Sequence, residues 1–296
     1  MARVNFSAGV SPRLASCHFL TAPVGEERDQ LLAEKVRELG LGRDHCVGIM
    51  APGSYQLLQL EPPQVPQEEM RAAVSWSIRE LVDFPLEEGV VDLFPVPNDG
   101  RRGRPDIAYA VAARKSVVRR LVEQLKDARL KVDAIDIPEL ALRNLALRLA
   151  ENEKGVALLH FGEKQGWLTM ARQGHLYMAR NINVGLVALE DAAVEMSAEE
   201  EVLPPLLQDL FDSIVLEIQR SLDFFESSLG QAPITSLVLA PLKRDLPQLE
   251  AYLKAYLGIK VRSFDMAEII DCDGHDSQDL RQCLLAIGAA LDHGRI

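Results

Sequence analysis

The sequence has no apolar run approaching the roughly 18 residues that a membrane-crossing helix needs. Its opening, Met1-Ala-Arg-Val-Asn-Phe6, lacks the basic-then-apolar pattern of a signal peptide. Direct insertion into a membrane is therefore not expected. It also lacks a basic surplus, since the formal net charge is -12. Nucleic acid and anionic lipid both want a cationic face, so neither is an expected partner. Cysteine is scarce: the four residues Cys17, Cys46, Cys272 and Cys283 include no CxxC pair. Four in a chain this long make no disulfide framework. Cys17-His18, His45-Cys46 and the Cys272/His275 pair leave a metal site open as one reading; buried free thiols and surface histidines are the other. Pro52-Gly53-Ser54 has no Gly-x-Ser-x-Gly context, so it reads as a plain turn and not as a nucleophile. What is present is an acidic chain of 296 residues, 48% hydrophobic and 26% charged, the ordinary balance of a soluble globular protein. It is long enough for one large domain or two medium ones.

The pattern is clearest between Gly155 and Val184. Val156–Leu159 is an apolar run. A turn follows over His160-Phe161-Gly162-Glu163-Lys164-Gln165-Gly166. The chain resumes at Trp167–Met170, turns at Gln173-Gly174, and continues from His175 to Ile182. Short β-rich runs between glycine-containing turns predict a three-stranded antiparallel meander. Downstream, leucines, isoleucines and phenylalanines recur at three and four from Leu206 to Leu229 and predict a long helix. A buried strand (Thr235–Ala240), a helix (Asp245–Leu257), a strand (Ile259–Phe264) and a last helix capped by Ser277 follow.

Upstream, residues 2–20 read as two strands turning at Gly9–Pro12. Glu26–Leu39 is a helix stopped by Gly40. His45–Met50 and Tyr55–Leu60 are strands. Glu61-Pro62-Pro63-Gln64-Val65-Pro66 is a stiff connector. Gln67–Val82 predicts a helix with Met70, Ala73, Val74, Ser77, Ile78 and Leu81 on one side. Trp76 lies off that stripe, either at the edge of the core or facing a partner. Val90–Val96 and Asp106–Ala112 predict a hairpin whose tip carries Arg101, Arg102 and Arg104. That tip is a solvated loop or a contact for phosphate or an acidic partner. Ser116–Ala128, the strand Val132–Ile135 and a helix opened by Asp136 and Pro138 complete the first part. Residues 151–154 are polar and mark a joint.

This order, with specific stretches, resembles the PilM-like branch of the actin-like superfamily, and within it the MSHA pilus biogenesis proteins. The stretches are Leu57-Leu58-Gln59-Leu60-Glu61-Pro62-Pro63, Trp76-Ser77-Ile78-Arg79-Glu80-Leu81-Val82-Asp83-Phe84-Pro85-Leu86 and Asp92-Leu93-Phe94-Pro95-Val96-Pro97. Glu217-Ile218-Gln219-Arg220-Ser221-Leu222-Asp223-Phe224-Phe225 and Leu285-Ala286-Ile287-Gly288-Ala289-Ala290-Leu291 complete the set. The resemblance covers almost the whole chain. It implies an α/β actin-like ATPase (ribonuclease H-like) fold. The first half would span residues 1–150, with a small α+β insert at about 62–115, and the second half 151–296. It also implies a scaffold on the cytoplasmic side of a bacterial inner membrane, held there through partners in a type IV pilus or type II secretion-like assembly. The expected partner is the N-terminal cytoplasmic tail of a PilN-like single-pass membrane protein, beside other pilus assembly proteins. The resemblance puts the tail in a groove walled by Tyr55, Leu58 and Leu60 and by Trp76, Arg79 and Glu80.

Active PilM-like proteins bind ATP through three turns. The first belongs to a strand ahead of this sequence's first strand. The second is Asp-x-Gly, and the matching stretch here is His160-Phe161-Gly162. An imidazole is a poor substitute for a carboxylate near hydrated Mg²⁺. The third is Gly-Gly, and the matching stretch is Ala240-Pro241-Leu242-Lys243. Ala240 adds a Cβ there, and Pro241 removes a backbone donor. Lys243 and Arg244 read as surface charge. ATP and Mg²⁺ are thus not expected as cofactors, and no catalytic residue is assigned. The competing readings are an ATP-binding or ATP-hydrolysing member of the superfamily, whether a small-molecule kinase, a type II secretion-like ATPase or a cell-division-type filament former. The last would be expected to carry a C-terminal amphipathic membrane helix, which Asp292-His293-Gly294-Arg295-Ile296 does not resemble.

Overall fold

A computed structural model describes residues 1–7, 9–23, 25–97, 106–194, 203–244 and 246–292. The elements begin with β1 (Ala2–Asn5), β2 (Arg13–Cys17), α1 (Glu26–Glu38), β3 (His45–Ile49), β4 (Tyr55–Leu60), α2 (Gln67–Ser77), β5 (Gly89–Val96) and β6 (Ile107–Arg114). Next come α3 (Lys115–Asp127), β7 (Lys131–Asp136), α4 (Pro138–Ala146), β8 (Val156–Phe161), β9 (Gly166–Arg172), β10 (His175–Ile182) and α5 (Leu186–Ala193). The last are α6 (Pro205–Ser227), β11 (Ser236–Leu239), α7 (Pro247–Tyr256), β12 (Lys260–Ser263), α8 (Ser277–Gln282) and α9 (Leu284–Ala290). The arginine tip at 98–105 and the acidic run at 199–201 lie outside the described residues.

The chain forms two compact units. One joins Met1–Phe19 to Glu139–Ile296, and the other is Leu20–Pro138. These units do not follow chain order, because Leu14 and Cys17 of β2 are buried in one cluster with residues of α4, β8 and α9.

In the first unit, five strands run in the order β10-β9-β8-β11-β12. The predicted meander is there: β8, β9 and β10 are antiparallel, while β11 pairs in parallel with both β8 and β12. Every residue of β8 and β9 is buried. Cover on both faces is why these strands are continuous apolar runs with no polar alternation. On one face Val156, Leu158, Trp167, Ala171, Val238 and Ala240 share a cluster with Leu142, Leu145 and Leu149 from α4 and its C-terminal turn, and with Leu284 and Ile287 of α9. The long helix α6 buries Leu207, Phe211, Ile214, Val215, Ile218 and Phe225, a 3.6-residue stripe. Phe225 meets Tyr177 of β10 edge to face at 5.8 Å. Arg172 is buried too, its guanidinium donating to the carbonyls of Lys154 and Ala232 and to the Gln231 side chain. The polar joint at 151–154 is structural: the Asn152 carbonyl accepts from Gln173 N–H at 2.9 Å and steadies the β9–β10 turn.

Two end-of-chain expectations need correction. The cap of the last helical stretch is Asp276, whose carboxylate accepts from the N–H groups of Gln278 and Asp279, and not Ser277. That stretch is also two helices, α8 and α9, broken at Cys283.

In the second unit, β3 and β7 form a parallel pair, and Leu121 and Leu125 of α3 fill the space beside Gly48. A three-stranded antiparallel sheet runs in the order β4-β6-β5. The α+β layer therefore includes Tyr55–Leu60 as well as the expected 62–115. Helix α2 covers one face. There Val74, Ile78 and Phe84 pack on Ala110 and Ala112, with Leu58, Leu60, Val91 and Leu93 around them. The alanines of β6 leave room for the helix to lie close. The helix ends at Ser77, five residues short of the expected Val82. Pro85 holds Phe84 out of helical geometry. Phe84 turns into the core instead, with the Arg114 guanidinium 5.1 Å from its ring centroid.

Candidate functional site

The carboxyl ends of parallel strands are where open α/β sheets bind ligands. Here β8 and β11 end side by side, and Ala240 N–H continues their ladder by donating to the Leu159 carbonyl at 2.8 Å. The stretches His160–Gly162 and Ala240–Pro241, far apart in sequence, are thus brought together.

Their chemistry differs from a phosphate turn. The hairpin turn is shorter than the sequence predicts, because β8 runs through Phe161 and β9 starts at Gly166. His160 is accordingly a strand residue and not a turn residue. It is 8% exposed and stacks on Trp167 at 5.8 Å between ring centroids. Desolvation pushes its pKa down to about 4, so it is neutral at pH 7. Its Nδ1, Trp167 Nε1 and Thr169 Oγ1 are buried without a hydrogen-bond partner among the described residues. Phe161 is buried with its ring over Gly166.

Gly162 is needed, but for a packing reason. A Cβ there would lie 2.7 Å from Cζ3 of the Trp167 ring. The backbone around it is internally engaged. Gly162 N–H donates to the Gln165 carbonyl at 2.8 Å. The carbonyls of Gly162 and Glu163 accept from the N–H groups of Leu186 and Val187 at 2.8 and 3.0 Å. The first turn of α5 is therefore satisfied by the hairpin, and these donors face no open anion site. Gly185 allows this closeness, since any Cβ there would run into the backbone of Lys164 and Glu163.

At the third turn, Ala240 is 1% exposed and its Cβ belongs to the same core as Trp167. Leu242 is buried, and its carbonyl accepts from Arg281 at 3.2 Å. Pro241 is half-buried, and Lys243 and Arg244 are exposed. Sequence reasoning missed the part played by Trp167 and Gly185. Trp167 pairs across the strands with His160, so a tryptophan opposite the turn was the available signal.

No group of three metal-ligating side chains occurs among the described residues. The cysteine–histidine pairs are engaged separately. His45 Nδ1 bonds Asp133 at 2.8 Å, His275 Nε2 meets the Leu14 carbonyl at 3.0 Å, and Cys17 Sγ donates to the Asp279 carbonyl at 3.3 Å.

The residues expected to wall one groove fall on two surfaces of the second unit. Leu58 and Leu60 point to the inner side of α2 and help bury Val74 and Ile78. Trp76 follows Val74 by two residues, about 200° around the helix, and is 67% exposed. The core-edge alternative for Trp76 is thus replaced by an outward position. The Arg79 guanidinium lies 5.7 Å from the indole centroid, and Arg79 and Glu80 are exposed. Tyr55 is half-buried on β4. Strand β4 is an edge of its sheet and pairs with β6 among the described residues. No helix among the described residues is long and apolar enough to cross a membrane.

No family model matches this sequence, and no curated protein does. Among solved structures, the chain is similar to the PilM-PilN type IV pilus biogenesis complex, at a TM-score of 0.72 and 23% identity over 98% of this chain and 94% of that chain. Looser matches include the cytoplasmic domain of EpsL, an inner membrane component of the type II secretion system of Vibrio cholerae. It has a TM-score of 0.45 and 11% identity over 97% of this chain and 87% of that one. A Bacteroides thetaiotaomicron protein with actin-like ATPase fold and unknown function matches at 0.46 and 12%, over 96% of this chain and 94% of that one. The chain has the α/β actin-like ATPase fold.

Proposed function

We propose that this chain is a non-catalytic scaffold of a type IV pilus assembly, held at the cytoplasmic face of the inner membrane by its partners. Within that class we assign it to the MSHA pilus, as a protein of the MshI kind. We further propose that it is laid out as two actin-like halves and has lost the nucleotide chemistry of the fold. The observation that carries the pilus assignment is the likeness to a chain of the PilM-PilN type IV pilus biogenesis complex along nearly the full length of both chains. The motif stretches of the sequence agree with it.

The loss of chemistry is supported at the two strand ends. A buried neutral imidazole stands where a carboxylate would hold hydrated Mg²⁺. Trp167 closes over Gly162, and the Gly162 amide is engaged within its own turn. The partner is the cytoplasmic tail of a PilN-like membrane protein, which docks on the second unit. An extended tail adds to the outer edge of β4 by backbone hydrogen bonding. The exposed Trp76, with Arg79 stacked on it, anchors a further part of the same partner, as tryptophan and arginine commonly do at interfaces.

Titration of the PilN-like tail peptide tests this reading. Binding is expected in the wild type, and Trp76→Ala is expected to weaken it by more than about 1 kcal/mol. Because Trp76 is exposed, the thermal midpoint should stay unchanged. No binding by the wild type would overturn the partner assignment. Unchanged affinity in the variant would restrict the contact to β4.

A further inference from the structure

Cys17 ends β2, and Cys283 sits at the break between α8 and α9; they are 3% and 2% exposed. One carbonyl gathers both. The Asp279 oxygen accepts from Cys17 Sγ at 3.3 Å and from the backbone N–H of Cys283 at 2.9 Å. The two side chains are near neighbours around that carbonyl, and both thiols are free. They share one apolar cluster with Leu14, Leu284 and Ile287. Of the other two cysteines, Cys46 is on β3 in the second unit, and Cys272 lies in the segment before α8.

We propose that Cys17 and Cys283 are a reversible redox pair, whose disulfide latches the β1–β2 hairpin to the α8–α9 junction. The oxidant is a small disulfide of the glutathione class. The Cys283 thiolate attacks one sulfur of the oxidant, the oxidant's S–S bond breaks, and one thiolate leaves. Cys17 then loses its proton and attacks the Cys283 sulfur of the mixed disulfide, displacing the second thiolate. Two protein thiols become one disulfide, and one oxidised molecule becomes two thiols carrying the two protons. The order of attack has a local cause. The neighbouring Cys17 side chain pulls the Cys283 thiol down to about 7, and the same proximity pushes the Cys17 thiol up. Because both sulfurs are buried, exchange proceeds through local opening of this corner. The latch therefore forms slowly and, once formed, keeps the hairpin from parting from α9.

The test uses the whole wild-type chain. Native protein is incubated with oxidised glutathione, alkylated, digested without reductant and mapped by mass spectrometry. The expected result is a joined peptide pair containing Cys17 and Cys283, with two of the four thiols lost and full recovery with dithiothreitol. The oxidised form should also melt at a higher temperature than the reduced form. Four alkylated thiols after prolonged incubation would overturn the proposal. So would joined peptides built on Cys46 or Cys272, or glutathione left on a single cysteine. Cys283→Ala should abolish the link, and if that variant does not fold, the wild-type map still decides.

Discussion

At the scale of the residue, His160 shows how a titratable side chain becomes core. A histidine beside a glycine turn reads as a polar surface residue. The ring is instead buried on Trp167, and desolvation lowers its pKa from 6.5 to about 4. The linkage sign follows. The unfolded chain takes up a proton near pH 6.5 and the folded chain does not, so the stability due to neutral His160 is complete above about pH 6.5 and is lost as pH falls toward 4. A shift of this size corresponds to about 3 kcal/mol. Wild type should therefore lose about that much more stability than His160→Phe between pH 7 and pH 4, as read by urea unfolding at each pH. Parallel pH profiles for the two proteins would refute the assignment. The burial was not legible in the sequence, because it depends on a cross-strand partner seven residues away. Nor was the reason for Gly162: the sequence suggests turn geometry, whereas the neighbouring indole occupies the Cβ position.

At the scale of the element, α9 carries a glycine where helices usually disfavour one. Alanine in a helix interior ordinarily gains up to about 1 kcal/mol over glycine. At Gly288 a new Cβ would strike the Ala141 carbonyl of α4, and the Asn144 side chain donates to the Gly288 carbonyl at 3.1 Å. Backbone cannot swing aside as a side chain can, so overpacking of about 1–3 kcal/mol wins. Gly288→Ala should lower the urea midpoint, and an equal or higher midpoint would show that α4 and α9 can separate without cost. The strands and long helices were readable from the sequence because period and burial agree: β8 and β9 as continuous apolar runs, α6 as a 3.6-residue stripe. Where elements end was less readable. Helix α2 stops at Ser77 because Phe84 is needed beneath it, and that demand arises only when the sheet is in place. That Trp76 lies off the stripe of Met70, Val74 and Ile78 was readable, but whether it sits at the core edge or faces outward was not. Its separation from Leu58 and Leu60 required knowing which face of α2 lies on the sheet.

At the scale of the whole molecule, the chain has an actin-like ATPase fold, and the Gly162 amide after β8 is engaged within its own turn. Calorimetry with Mg-ATP at millimolar concentration should give no saturable heat, and turnover assays no phosphate release. Micromolar affinity would overturn the non-catalytic reading. The two units should also differ in a property that no static contact displays. Amides inside β8 and β9 lie in a sheet covered on both faces, so their exchange with deuterium waits for the first unit to open as a whole. The outer edge of β4 is different. In an antiparallel edge strand, alternate residues turn their N–H groups away from the neighbour, so every second amide from Gln56 to Leu60 is expected to exchange quickly in the folded state. A docked extended segment would slow that alternate set and leave the set already bonded to β6 unchanged. A two-residue rhythm of protection along one strand would then report the register of the bound partner.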